Sequence, residues 1–215
     1  MKARTEKHLE NFFKRNKKLE DMKNDILAIC EAITSCYRNG GQVLICGNGG
    51  SSADSDHIVG ELMKGFLLQR PLDKKVMERF EALYGEYGGK ISKKLQGALP
   101  AIALNTQTAF ISAFNNDVDP ELTYAQQVMG YGKFGDIVIG ISTSGNAINV
   151  YNALITAKVI GVKTIAFTGR NGGRLSTVAD YSLIVKEKET YLIQEYHLML
   201  YHLVCIFVES ELFEL

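Results

Sequence analysis

Apolar positions set the element pattern of this chain before any motif is considered. Across residues 5–38, Leu9, Phe12, Phe13, Leu19, Met22, Ile26, Ile29, Ile33 and Cys36 recur at three- and four-residue steps, the period of a helix with one buried face. Asn39-Gly40-Gly41 ends that helical region, since glycine just beyond the last periodic residue closes a helix. Residues 42–46 form a short β-branched apolar run, followed by a glycine-rich turn and a helical stretch over 52–66. Similar runs at 99–104, 136–141, 163–167 and 181–185 are short and nearly continuous, as strands covered on both faces are. Helical patterns over about 120–133, 147–160 and 194–211 lie between and after them. Strand, turn and helix alternating in this way predict an α/β fold with right-handed crossovers. The expected architecture is a single-domain parallel five-stranded sheet flanked by helices, with long N-terminal and C-terminal helices, spanning residues 1–215.

One segment interrupts the alternation. Residues 72–96 carry Lys74, Lys75, Glu78, Arg79, Glu81, Lys90, Lys93 and Lys94, with a break at Gly85 to Gly89 between short helices. It reads as a solvated surface insertion; a lid or an oligomer contact is the other reading.

Composition narrows the function classes. Lys plus Arg (24) balances Asp plus Glu (24), which argues against a dedicated nucleic-acid binder, where a basic surplus is the rule. Hydrophobic residues at 46% and charged residues at 22% are those of an ordinary globular protein. No run of unbroken apolar residues reaches the ~20 a membrane span needs. Cys30, Cys36, Cys46 and Cys205 include no CxxC pair, and no signal-peptide pattern opens the chain, so a soluble, reduced, cytoplasmic setting is expected.

Two turns carry candidate chemistry, both at carboxyl ends of expected strands, where parallel sheets place their ligands. Cys46-Gly47-Asn48-Gly49-Gly50-Ser51-Ser52 opens a helix. Its glycines let backbone amides approach an anion, and the helix N-terminus adds a positive dipole end. The turn lacks the third glycine of GxGxxG and the Lys of a P-loop, which weakens nucleotide readings. The second turn, Ser142-Thr143-Ser144-Gly145-Asn146, also opens a helix. One hydroxyl suffices for a helix cap; three suit the oxygens of a phosphate. His57 and Glu61, four apart, share a helix face and read either as a hydrogen-bonded surface pair or as donors to a divalent metal. Gln194, His197 and His202 lie among Leu, Tyr and Val, where a histidine is ordinarily a packing residue.

The segments CGNGGSSADSDHIVGEL, GDIVIGISTSGN and IQEYHLMLYHL, in that order and spacing, resemble the sugar isomerase (SIS) domain superfamily and, within it, the phosphoheptose isomerases. The resemblance runs from about residue 5 to the end, apart from 72–96. It implies the SIS fold and an aldose–ketose isomerase that interconverts sedoheptulose 7-phosphate and glycero-manno-heptose 7-phosphate through an enediol. It further implies Glu61 and His202 as catalytic acid/base residues. Substrate would be bound by Asn48, Gly49, Gly50, Ser51, Glu61, Thr106, Gln107, Ser142, Thr143, Ser144 and Gln194. Zinc would be held by His57, Glu61, Gln194 and His202, and the assembly would be a homotetramer. Gln194 and His202 are eight residues apart, about 12 Å of helix rise, so a shared site needs both side chains to lean inward or a neighbouring subunit to contribute. His197 matches no position in this pattern and is left as core or interface; His8 has no evident role.

The chain departs from the family pattern in three places. Gln107 stands where an Asp usually contacts the sugar, Ala147 where Ser is usual, and Asn115-Asn116-Asp117 where Gly-Asn-Asp is usual. A shorter sugar phosphate therefore stays open as substrate. The other class of function left open is a non-catalytic SIS module that senses a phosphosugar or binds a protein partner; retention of His57, Glu61, Gln194 and His202 favours the enzyme.

Overall fold

A computed structural model describes residues 1–214. The chain begins with helices α1 (Ala3–Arg15) and α2 (Lys23–Arg38), joined by a 3-10 turn at Lys17–Met22. The helical region expected over 5–38 is thus broken at Asn16, which leaves helical geometry (φ −121, ψ 57). Its backbone N–H and its side-chain amide both return to the Phe12 carbonyl, at 2.9 and 3.0 Å. An Asn that satisfies a carbonyl locally competes with helix continuation, and Leu19 and Met22 stay buried across the break.

Strands β1 (Val43–Gly47), β2 (Ala101–Ala103), β3 (Ile137–Ser142), β4 (Lys163–Gly169) and β5 (Tyr181–Val185) form one all-parallel sheet in the order β2-β1-β3-β4-β5. The chain leaves β1 to one side for β2 and crosses back to β3 on the other. The sheet therefore switches direction between β1 and β3, the place where a crevice opens in such sheets. The register Gly47↔Ile141 brings the two candidate turns out of the sheet side by side.

Side chains alternate between two cores, as strand geometry requires. Val43, Ile45, Ile137, Ile139 and Ile141 face α1, α2, helix α3 (Gly50–Met63) and helix α9 (Thr190–Leu212). Leu44, Cys46 and Val138 face α6 (Thr123–Tyr131), α7 (Ile148–Val159) and α8 (Leu175–Val178). Each fully buried Ile or Leu stabilises the fold by about 1.5–3 kcal/mol. Helix α5 (Thr108–Asp117) was not expected; none of its residues is buried, so it has no apolar stripe to reveal it. α9 is long and apolar enough, by length and composition, to cross a membrane, unlike the unbroken runs counted in the sequence. Its apolar residues are used in packing: Ile193, Leu200, Leu203, Val204, Phe207 and Val208 all lie in the core with α1 and α2.

Most of the 72–96 segment is α4 (Lys74–Ser92), in which two short helices meet across a break at Gly85 (φ 56, ψ −143), as the glycines there suggested. A Pro71↔Gln96 bridge closes its root. Beneath that root lies a fully buried ion pair, Arg70 Nε to Glu209 Oε1 at 2.8 Å. Glu209 also accepts the backbone N–H groups of Phe66, Leu67 and Leu68 at 2.8, 2.8 and 3.1 Å. Arg70 donates to the Leu62 and Glu61 carbonyls at 2.7 and 3.1 Å. It thereby satisfies two of the carbonyls that a helix end leaves without partners. Removing one member of a buried pair leaves an uncompensated charge. Glu209→Gln is accordingly expected to cost about 3–5 kcal/mol of stability, measured by chemical denaturation.

Candidate active site

The turn after β1 is shaped by close approaches. Gly49 takes φ +56 as the residue preceding α3, a conformation that glycine adopts without strain. A Cβ on Gly50 would run into the side-chain amide of Gln194, so glycine here lets α9 lie against the start of α3. Asn48 is fixed by a double hydrogen bond with Asn149 at the start of α7, at 2.8 and 3.0 Å. Tyr124 on α6 donates to the Gly47 carbonyl at 2.7 Å. The hydroxyl of Ser51 lies buried under the turn.

The turn after β3 is fixed by a second close approach. Gly145, at φ +66, packs so tightly on the Gly172-Gly173 backbone that a Cβ would collide with the Gly172 carbonyl. Ser144 Oγ accepts the Asn146 N–H at 3.2 Å and lies 3.5 Å from Ser142 Oγ. Ser142 and Ser144 thus stand together, with Thr143 between them half-buried. At the end of β2, Thr106 and Gln107 are exposed. Thr106 donates to the Ala103 carbonyl at 2.9 Å, and Gln107 precedes α5.

The second half of the site forms where α3 and α9 run side by side in the same direction. Gly50 sits beside Gln194, Asp54 and His57 beside Tyr201 and His202, and the end of α3 beside Glu209. His57 Nε2 lies 3.3 Å from Glu61 Oε1 and 3.4 Å from His202 Nε2. Glu61 Oε2 meets Lys64 Nζ at 3.4 Å. Burial and the nearby His57 lower the His202 pKa, against the opposing pull of Glu61, so its imidazole is held neutral. Behind the cluster, the Tyr201 hydroxyl reaches Asp54 Oδ1 at 3.3 Å and His57 Nδ1 at 3.0 Å. Burial pushes the Asp54 carboxyl and the Tyr201 phenol above their ordinary values, so Tyr201 keeps its proton. His202 opens onto a groove of about 640 Å³ between α1 and α9, lined also by His8, Lys14, Arg15, Phe66 and Met199.

The structure thus gathers Asn48, Gly49, Gly50, Ser51, Ser142, Thr143 and Ser144 at the switch point, and His57, Glu61 and His202 at a second centre. Seven residues of α3 separate Gly50 from His57, about 10 Å of helix. Gln194 lies with the first group and not with the histidines, so within one chain the four residues expected around zinc do not meet. Among the described residues, no group of three or more His, Cys, Asp and Glu side chains is arranged to hold a metal ion. The two contacts of His57 nevertheless match the edge of a tetrahedron, about 3.3–3.4 Å for ligand bonds near 2.0–2.1 Å. His197 is a core residue, fully buried, with Nε2 against the Thr168 carbonyl at 3.1 Å and its pKa lowered by burial to about 4. Sequence reasoning missed Asp54, Arg70, Tyr124, Asn149 and Tyr201. Only Asp54 carried a signal, lying one turn before His57 on the same helix face.

Comparison with known proteins places this arrangement. The SIS domain family model matches residues 96–208, and a second SIS domain model matches 8–96. The phosphoheptose isomerase of Clostridium acetobutylicum is 40% identical over 188 residues, covering 87% of this chain and 83% of the relative. That of Thermodesulfovibrio yellowstonii is 39% identical over 206 residues, covering 96% and 87%. The solved structure of phosphoheptose isomerase GmhA from Neisseria gonorrhoeae aligns at a TM-score of 0.73 with 29% identity, covering 96% of this chain and 97% of that one. A phosphoheptose isomerase from Francisella tularensis aligns at 0.72 with 31% identity, covering 87% and 86%. With relatives at this identity spanning most of both chains, and with the sheet and the two turns in their expected places, the chain belongs to the phosphoheptose isomerase family of SIS domain proteins.

Proposed function

We propose that this chain isomerises sedoheptulose 7-phosphate to glycero-manno-heptose 7-phosphate. The observation that carries the reading is the contact of His57, Glu61 and His202 from two helices at 3.3 and 3.4 Å, one helix run away from a pair of anion-suited turns. The phosphate lies between the turns, against the Ser142, Thr143 and Ser144 hydroxyls and the N-terminus of α3, whose amides and dipole favour an anion. Asn48, Gly49, Gly50, Ser51 and Gln194 border the same place, and Thr106 and Gln107 face the sugar from β2. The ~10 Å along α3 to the acid/base centre favours a long sugar over a short one.

Isomerisation removes a proton from C1 of the ketose, forms a 1,2-enediol and returns a proton to C2, while the hydroxyl proton passes from O1 to O2. Glu61 is the carboxylate that takes and returns the carbon-bound proton. His202, neutral and so able both to accept and to donate, passes the oxygen-bound one. Zinc is part of the reading: His57, Glu61 and His202 are the donors this chain offers it, with Gln194 reaching the same ion only from another copy. When bound, it would stabilise negative charge on the substrate oxygens as a Lewis acid. A homotetramer completes the proposal, supported by the apolar-floored groove that runs past His202. The cytoplasmic setting is supported by four buried free cysteines.

Four measurements test these statements. In D₂O with sedoheptulose 7-phosphate, deuterium is expected at C2 of the aldose product by NMR. Glu61→Gln and His202→Gln should each lower kcat about 10²–10⁴-fold, the usual worth of a positioned acid or base; near-normal turnover in both would sink the assignment. Gly145→Ala should leave the acid/base centre intact and raise KM by roughly ten- to a hundredfold, the scale of a misplaced binding group. Light scattering and elemental analysis of the purified chain read the other two claims: four copies and bound zinc support them, and a metal-free monomer removes them.

A further inference from the structure

We propose that Asp54 and Tyr201 are positioning residues that hold His57 with its proton on Nδ1 and its Nε2 lone pair turned toward Glu61 and His202. The inference rests on the isomerase reading for its purpose but not for its geometry. Asp54 lies one turn before His57 on α3, so both side chains reach the same strip of α9. There Tyr201 is 1% exposed and its hydroxyl is shared between Asp54 Oδ1 at 3.3 Å and His57 Nδ1 at 3.0 Å. A phenol has one proton to give, and a carboxylate can only accept. Once Tyr201 donates to Asp54, its oxygen is left as an acceptor, and the contact with His57 requires Nδ1–H. A neutral imidazole protonated at Nδ1 carries its lone pair on Nε2.

That lone pair faces the carboxylate oxygen of Glu61 at 3.3 Å and His202 Nε2 at 3.4 Å. Two atoms rich in electrons at this separation call for a positive centre beside them, a proton or a cation. A centre of this kind is what the chemistry of the site needs, and the Asp54–Tyr201 chain points His57 at it. The rings are also locked in orientation. His57, Tyr201 and His202 stack edge to face in all three pairings, with centroids 5.4, 5.0 and 5.0 Å apart and interplanar angles of 70, 82 and 77°, an arrangement aromatic pairs prefer. Asp54 Oδ2, by contrast, is buried with no hydrogen-bond partner among the described residues. A buried unpaired oxygen costs stability, and packing alone gives no reason for a carboxylate there.

The proposal separates from a purely structural role through the tautomer. In the metal-free chain labelled with ¹⁵N-histidine, long-range ¹H–¹⁵N correlation at alkaline pH distinguishes Nδ1–H from Nε2–H, and loss of one signal in His57→Gln assigns His57. The wild type is expected to show Nδ1–H. Tyr201→Phe, which keeps the ring and loses only the hydroxyl, should shift His57 toward Nε2–H. It should also weaken zinc binding about 10–100-fold in chelator competition, the usual effect of losing a hydrogen-bond partner behind a ligand. Asp54→Asn, which lets Tyr201 turn its proton to His57, should do the same and lower kcat with KM little changed. His57 found as Nε2–H in the wild type overturns the proposal whether or not either variant folds. An unchanged tautomer and zinc affinity in folded Tyr201→Phe does so as well. Because the tautomer is read without substrate, failure of the isomerase assay alone leaves this result standing and counts against the activity instead.

Discussion

The site depends on how far α3 and α9 are slid past one another, and a buried ion pair sets that offset. Glu209, near the end of α9, binds Arg70 and three consecutive amides of the chain leaving α3. Arg70 in turn holds the last carbonyls of α3. With the far ends pinned, the parallel run of the helices fixes the rest: Tyr201 and His202 come level with Asp54 and His57, and Gln194 with Gly50. A slip of one residue on α9 would rotate it by about 100° and carry His202 away from the carboxylate. The ion pair need not add net stability against an apolar replacement; its effect here is on register.

The two halves of the site use different physics. The turns at the switch point present hydroxyls and a helix N-terminus, and among the described residues no Lys or Arg side chain forms a hydrogen bond within them. Such a cup favours an anion through fixed dipoles that need no reorganisation when charge arrives. The other half is built from titratable side chains whose environments differ. His202 is lowered by burial and its neighbour, while Tyr201 is raised far enough to remain a donor. In the proposed reaction, one end of the substrate is gripped by groups that do not change protonation, and the other is met by groups that can.

Much of this was legible in the sequence, and the reason differs by element. The strands were readable because both faces are buried, which makes them continuous apolar runs; the register then put the Gly-Asn-Gly-Gly and Ser-Thr-Ser-Gly turns side by side. His57, Glu61 and His202 were suggested by spacing and family resemblance, and their meeting depended on packing that no local pattern encodes. α5 escaped because it buries nothing. The break at Asn16 escaped because Leu19 and Met22 keep the apolar rhythm through it. Arg70, Asn149 and Tyr201 were out of reach for a different reason. Each matters through a partner 101 to 147 positions away (Asn149 with Asn48, Arg70 with Glu209, Tyr201 with Asp54), and such pairs leave no local signature.

Gln194 shows what the helix geometry implies for the assembly. It is eight residues from His202 on one unbroken helix, about two turns, and its amide lies against Gly50 at the start of α3. No rotamer of an amide two carbons beyond Cβ spans the remaining ~12 Å of helix rise. Within a single chain, then, Gln194 lies at the turn after β1 and His202 beside His57 and Glu61. If both are to touch one metal ion, two copies of α9 must cross so that one copy's Gln194 comes level with another's His202. The groove beside His202, floored by Phe12, Phe66, Met199, Leu203 and Ile206, is where such a crossing would bury apolar surface. The length of one helix thereby ties metal binding by the four expected residues to association of the chain: either they act across a subunit boundary, or Gln194 is not a ligand.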